Sequence, residues 1–199
     1  RWPRASVTAW QVMALESARL GGLAVPAEAL TDAGRFLAGT WDSRRGAFRY
    51  AHDPNRLNSG YPILPASTPA AMFGLSLLGV DLSSDDLAAP RAFVMERLPG
   101  AYRRPADDAF VFEAKGNLYF WYYGTLAMFR AGGADWRRWN LAMQETLLPS
   151  QREDGSWRPI SLYAAYAGDD DRDRSYTTAM NVLTLEVYYR YVTPLLEVR

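Results

Sequence analysis

One eight-residue pattern recurs four times along this chain, and it constrains the fold more than any single segment does. Thr8-Ala9-Trp10-Gln11-Val12-Met13-Ala14-Leu15 aligns with Thr68-Pro69-Ala70-Ala71-Met72-Phe73-Gly74-Leu75. It aligns again with Trp121 to Met128 and with Thr178-Ala179-Met180-Asn181-Val182-Leu183-Thr184-Leu185, at separations of 60, 53 and 57 residues. Self-similarity at such a period marks stacked helical repeats. Within the pattern a small residue (Ala14, Gly74, Ala127, with Thr184 as the exception) sits beside a large apolar one (Leu15, Leu75, Met128, Leu185). Small side chains let helix axes approach closely, so these segments are expected to form an inner row. The more charged helices between them suit an outer row.

Apolar periodicity and punctuation place the helices around that pattern. Val7 to Leu20 carries a broad apolar stripe, with Ser6 or Thr8 as a cap and Gly21-Gly22 as a stop. A second helix starts at Pro26, with Glu28 in its first turn, and runs to about Thr40. Trp41 to Pro65 is too dense in turn residues for regular structure. Thr68 to Leu78 is helical, Ser83-Ser84-Asp85-Asp86 caps a helix that ends before Pro99-Gly100, and a loop rich in charge and proline follows. Leu118 to Ala131 and Asp135 to Leu148 form a pair split by Gly132-Gly133, and Tyr176 to Tyr191 forms the last helix. The expected fold is all-α and a single domain over residues 1–199. Its helix pairs are 6–40, 68–98 and 118–148, followed by a lone inner helix, in repeats of about 6–61, 68–116, 118–166 and 176–194.

Composition removes several function classes. Lys+Arg and Asp+Glu both number 22, so no net field would gather phosphate, and nucleic acid is excluded as a partner. With no cysteine there are no disulfides, thiolate nucleophiles or cysteine-ligated metals, and no cofactor or metal is expected. No apolar run approaches the roughly 20 residues of a membrane span, and nothing here reports the compartment. The chain opens Arg1-Trp2-Pro3-Arg4, which reads as a piece cut from a longer protein.

After the third pair stands Gln151-Arg152-Glu153-Asp154-Gly155-Ser156-Trp157, and a degenerate copy, Arg45-Gly46-Ala47-Phe48, follows the first pair. Gly155 supplies a positive φ, the Gln151 amide satisfies backbone groups at a helix end, and Trp157 covers the joint. This Q-x-x-x-G-x-W turn resembles that of squalene cyclases and related triterpene cyclases. From Trp2 to Tyr191 the chain is similar to bacterial proteins with prenyltransferase and squalene oxidase repeats. The resemblance implies a partial α/α toroid of about three and a half helix pairs around a lumen. Complete toroids of that family have six pairs, so the open arc needs further chain, a second subunit or another protein on its apolar edge.

The chemistry of that family is only partly present. Cyclases of this type protonate an alkene with an aspartic acid in D-x-D-D-T-A; here Thr178-Ala179-Met180 keeps the end of the motif, but Arg174-Ser175-Tyr176-Thr177 precedes it. Asp169-Asp170-Asp171 and Asp173 lie just upstream, so a cyclase-like reading would assign the acid to Asp171 or Asp173. A run of like charge more commonly faces water. Prenyltransferase zinc needs a cysteine, which is missing, and the single histidine, His52, reads as a loop residue. The paired carboxylates Asp85-Asp86 and Asp107-Asp108 suit a glycosidase only if they oppose one another, and adjacent residues diverge.

The densest feature is Tyr119-Phe120-Trp121-Tyr122-Tyr123, at the start of an inner helix. Five successive positions sweep about 500° of helix, so the rings must diverge, either to fill an inter-layer core or to line an apolar pocket with Trp10, Phe73 and Tyr176. The sequence therefore favours a non-catalytic binding or scaffold module for an apolar small molecule or a protein partner. A divergent triterpene cyclase and a carbohydrate-active toroid enzyme are the alternatives.

Overall fold

A computed structural model describes residues 3–51, 63–162, 164 and 168–188. The described chain is mostly helical, as the periodicity requires. In order it forms α1 (Ala5–Leu20), α2 (Ala27–Gly39), a minimal hairpin β1 (Trp41–Asp42) and β2 (Ala47–Phe48), then α3 (Ser67–Leu77) and α4 (Ala88–Met95). There follow a short α5 (Asp107–Phe112), α6 (Leu118–Ala131), α7 (Gly133–Leu147) and α8 (Ser175–Leu185). The four aligned segments lie on α1, α3, α6 and α8, and each of these packs on the next. The intervening helices attach beside them: α2 contacts α1 and α3, α4 contacts α3, and α7 contacts α6.

Burial explains why some of these helices carry so little amphipathic signal. Every residue of α3 from Ser67 to Ser76 is buried, and so are Leu118 and Phe120 to Met128 of α6. Each is enclosed by helices on several sides and has no solvent face to be polar. The outermost helices differ, with α1 burying only Ala5, Ala9, Val12 and Glu16, and α8 burying Thr177, Met180, Asn181 and Thr184. Their free sides expose Val7 and Val182. The axes of α1 and α3 approach where a Cβ on Gly74 would stand 3.6 Å from the Ala9 Cα and 2.7 Å from Leu37 Cδ1. Ala14, assigned above to the close-approach register, is exposed; Ala9 makes the close approach.

Several local expectations need correction. Ser6 and Thr8 fall inside α1; the Ala5 amide is satisfied by the Tyr50 carbonyl at 2.8 Å, so tertiary structure caps the helix. The 83–86 segment caps nothing with a side chain. Instead Asp81 accepts from the Ser83 amide and hydroxyl, and Arg91 holds the Leu82 and Ser84 carbonyls. Asp107 and Asp108 open α5 where a loop was expected. Residues 189–191 of the expected last helix, and His52, lie outside the described residues.

Two joints precede α3 and α8. In the first, Trp41 pairs with Phe48 and Asp42 with Ala47, Gly46 turns at φ 61°, and the Phe48 amide donates to Thr68 Oγ1 at 3.0 Å. In the second, Gln151 bridges Trp157, Gly155 turns at φ 81°, and the Trp157 amide donates to Thr178 Oγ1 at 3.4 Å. Thr68 and Thr178 occupy the same position of the repeat. The Gln151 amide closes the turn on its own Gly155 carbonyl at 3.0 Å, while the Trp157 indole donates to the Leu147 carbonyl at the end of α7.

Candidate functional site

The five aromatics of α6 leave the helix in three directions. Phe120 packs on Trp139 of α7, centroids 5.9 Å apart, and the Trp139 indole donates to Thr125 Oγ1 at 2.9 Å. Gly124 makes that possible, because a Cβ there would collide with the Trp139 ring. Trp121 turns toward Tyr102, in the segment between α4 and α5, with centroids 6.1 Å apart. Tyr119, Tyr122 and Tyr123 point toward α1 and α3.

This last group assembles a cluster. Trp10 stacks on Tyr122 at 5.7 Å and meets the edge of Tyr123 at 5.8 Å. Tyr123 also contacts Tyr119 and Tyr122, each at 5.0 Å, and Phe73 at 6.1 Å. The Tyr119 hydroxyl donates to the Ser6 carbonyl at 3.4 Å, and the Tyr122 hydroxyl reaches Met13 Sδ at 3.8 Å. Rings of α6 thus span α3 to reach α1. Tyr176 of α8 is half-buried and packs against the same core. Of the eight aromatic positions singled out in sequence, the structure gathers Trp10, Phe73, Tyr119, Tyr122 and Tyr123, sets Tyr176 against the same core, and sends Phe120 and Trp121 elsewhere.

Burial divides the cluster into a packed floor and a reachable rim. Phe73, Tyr122 and Tyr123 are buried, while Trp10, Tyr119 and Tyr176 are half-buried. Burial pushes the Tyr119 phenol up to about 12 and raises Tyr123 further, with Tyr119 adding to the shift. No hydrogen bond of good geometry reaches the buried Tyr123 hydroxyl, although Tyr119 is near enough to influence it. Both phenols are therefore neutral at physiological pH. The rim offers ring faces, suited to apolar groups, and no base that titrates near neutrality.

The acidic residues upstream of α8 hold backbone. Asp169 accepts the Tyr176 and Thr177 amides at 2.9 and 2.6 Å, one on each carboxylate oxygen, and so caps α8 from outside the helix. Asp170 accepts the Arg172 and Asp173 amides, and Asp173 accepts the amide and hydroxyl of Ser175. These bonds hold the Asp170 and Asp173 carboxyls below the usual carboxylate range. Asp171 is exposed, 3.9 Å from Arg158. Arg174 pairs with Asp154 of the second joint at 3.2 Å. Asp85 and Asp86 are exposed in a single 3-10 turn. No group of three acidic or histidine side chains among the described residues converges as a metal site, and no described helix is long and apolar enough to cross a membrane.

One polar link has no signal in the sequence. Buried Asn181 of α8 donates to the Tyr102 hydroxyl at 2.9 Å, and that hydroxyl donates to the Arg158 carbonyl at 3.0 Å. Its two side chains lie 79 residues apart, beyond the reach of any local pattern. Comparison with protein-family models, with curated proteins and with solved structures finds no match.

Proposed function

We propose that this chain is a binding or scaffold module built as a partial α/α toroid of the squalene cyclase-like type, and that the rim of Trp10, Tyr119 and Tyr176 receives an apolar ligand. The toroid reading is supported by the successive packing of α1, α3, α6 and α8 and by the two joints that end on equivalent threonines. The observation that carries the non-catalytic reading is the employment of the two acids that a cyclase-like reading names: Asp173 accepts the amide and hydroxyl of Ser175, and Asp171 is exposed beside Arg158. A cyclase needs a protonated carboxyl aimed at its substrate, and the hydrogen bonds from Ser175 hold the Asp173 carboxyl below the usual carboxylate range. The rim is an aromatic surface of the kind that binds apolar molecules or a partner's apolar side chains.

Gel filtration with radiolabelled squalene in dilute non-ionic detergent tests the reading. Squalene should co-elute with the protein and be recovered unchanged, and Trp10→Ala with Tyr176→Ala should abolish the co-elution. A cyclic product that disappears in Asp171→Asn or Asp173→Asn would establish the cyclase alternative instead. Neither retention nor conversion would move the rim's role to a protein partner.

A further inference from the structure

Helices α1 and α8 carry the same short pattern, and the face that one of them buries the other leaves open. α1 buries Ala5, Ala9, Val12 and Glu16. When the alignment that sets Thr8 on Thr178 is continued without a gap, these four fall on Ser175, Ala179, Val182 and Glu186, identical in three places. The two helices even start at matching residues, Ala5 and Ser175. On α8, however, Ser175 and Ala179 are exposed, and Val182 exposes 42 % of its surface where Val12 exposes none. An apolar side chain left in water where its counterpart is core marks a face shaped to receive a helix.

The buried copy of that face shows which kind of helix fits it. α1 meets α3, and a Cβ built on Gly74 would stand 3.6 Å from the Ala9 Cα, so the neighbour offers a small residue at the closest approach. In the alignment that sets Thr8 on Thr68, the α3 residues Ser67, Ala71 and Gly74 correspond to Val7, Gln11 and Ala14 of α1. All three of those are exposed, on the side of α1 opposite Ala5, Ala9 and Val12. α1 thus holds a small residue, Ala14, open to solvent at the position Gly74 uses against Ala9. None of the six open positions (Val7, Gln11, Ala14, Ser175, Ala179 and Val182) carries a charge, although 22% of the chain does. Depletion of charge is what the buried centre of an interface requires.

We propose that these two faces are the halves of one interface, and that a second copy of this chain lays Val7, Gln11 and Ala14 of its α1 on Ala179 and Val182 of α8, as α3 lies on Ala9 within one chain. The joined faces differ, so the contact runs head to tail and association proceeds to a closed ring or a longer array. The pairing rests on the alignment of the helices and stands whatever the aromatic rim binds.

Sedimentation velocity of the full chain from micromolar to near-millimolar concentration tests this, with Ala14→Glu and Ala179→Glu. Both changes lie at exposed positions, so helical content and melting should match the parent. The parent should associate as its concentration rises. Each variant buries an unpaired charge in the contact and should weaken association at least about tenfold. An equimolar mixture of the two variants should recover a species of two chains and nothing larger, because each supplies the half that the other has lost. A parent that stays monomeric throughout, association undiminished in either variant, or a mixture no more associated than its components would each overturn the proposal.

Discussion

The two joints reach one geometry by different chemistry. Both turn through a left-handed glycine, both bury the aromatic that closes the turn, and both hand its backbone amide to a threonine, Thr68 of α3 or Thr178 of α8. The first is held by a buried carboxylate: Asp42 accepts the Arg44 and Arg45 amides and pairs with the Arg45 and Arg49 guanidiniums at 2.8 and 3.1 Å. The second is held by an indole, since Trp157 fills the joint and donates to Leu147, while its acid, Asp154, stays at the surface. What the two joints share is a backbone path and one hydrogen bond. The anchor of that path is free to be ionic in one copy and apolar in another.

That contrast is broken most directly at Trp157. Trp157→Ala removes a fully buried ring and its hydrogen bond, which should lower stability by about 3–5 kcal/mol and the melting temperature by roughly 10 °C. A scanning calorimetry shift of only a degree would show that the indole does not anchor the joint. Asp42→Asn comes next, at about 2 kcal/mol, because it leaves Arg49 beside an uncharged amide. Burial opposes ionisation of Asp42, but the hydrogen bonds from Arg45 and Arg49 outweigh it and hold its carboxyl below the ordinary range. The stabilisation is therefore complete above about pH 4, the unfolded value, and is lost as pH falls through the folded one. Urea melts of the parent and Asp42→Asn should differ at pH 6 and converge on acidification, whereas the cost of Trp157→Ala should persist.

Two smaller effects sharpen what the joints share. Gly46→Ala and Gly155→Ala should each lower stability by about 1 kcal/mol, since both hold positive φ and neither faces a blocking side chain. Clearly unequal losses in chemical denaturation would mean that the two turns are not equivalent. Thr68→Val leaves the buried Phe48 amide without an acceptor and should cost about 1 kcal/mol. Thr178→Val should cost less, because its bond is longer at 3.4 Å.

The helices were legible in sequence wherever glycine or proline stopped them, as at Gly21-Gly22 and Gly132-Gly133. The apolar runs of α3 and α6 were legible because burial on several sides leaves those helices no polar face. The glycine turn at 151–157 was visible for a related reason, since its residues act within seven positions. What escaped depends on where the folded chain sets a partner. Asp42 was not singled out, and its role appears only once the hairpin brings Arg49 back beside it. Asp169 looked like one of several loop acids, yet the chain path alone selects it to cap α8. The divergence of five rings was predictable from helical geometry, but their destinations were not, because Trp139 and Tyr102 supply them from other segments.

The rings that cross α3 have a consequence for how this chain is made. Repeats that touched only their neighbours would add one at a time and fray from either end. Here Met13 meets Tyr122, and Ser6 meets Tyr119, across 109 and 113 positions. Helix α1 leaves the ribosome with Trp10 uncovered and waits on the order of ten seconds, at ordinary synthesis rates, for the segment that covers it. The finished molecule gains a clasp in return: its first helix cannot peel away without baring the buried rings of α6, so the described helices should unfold together.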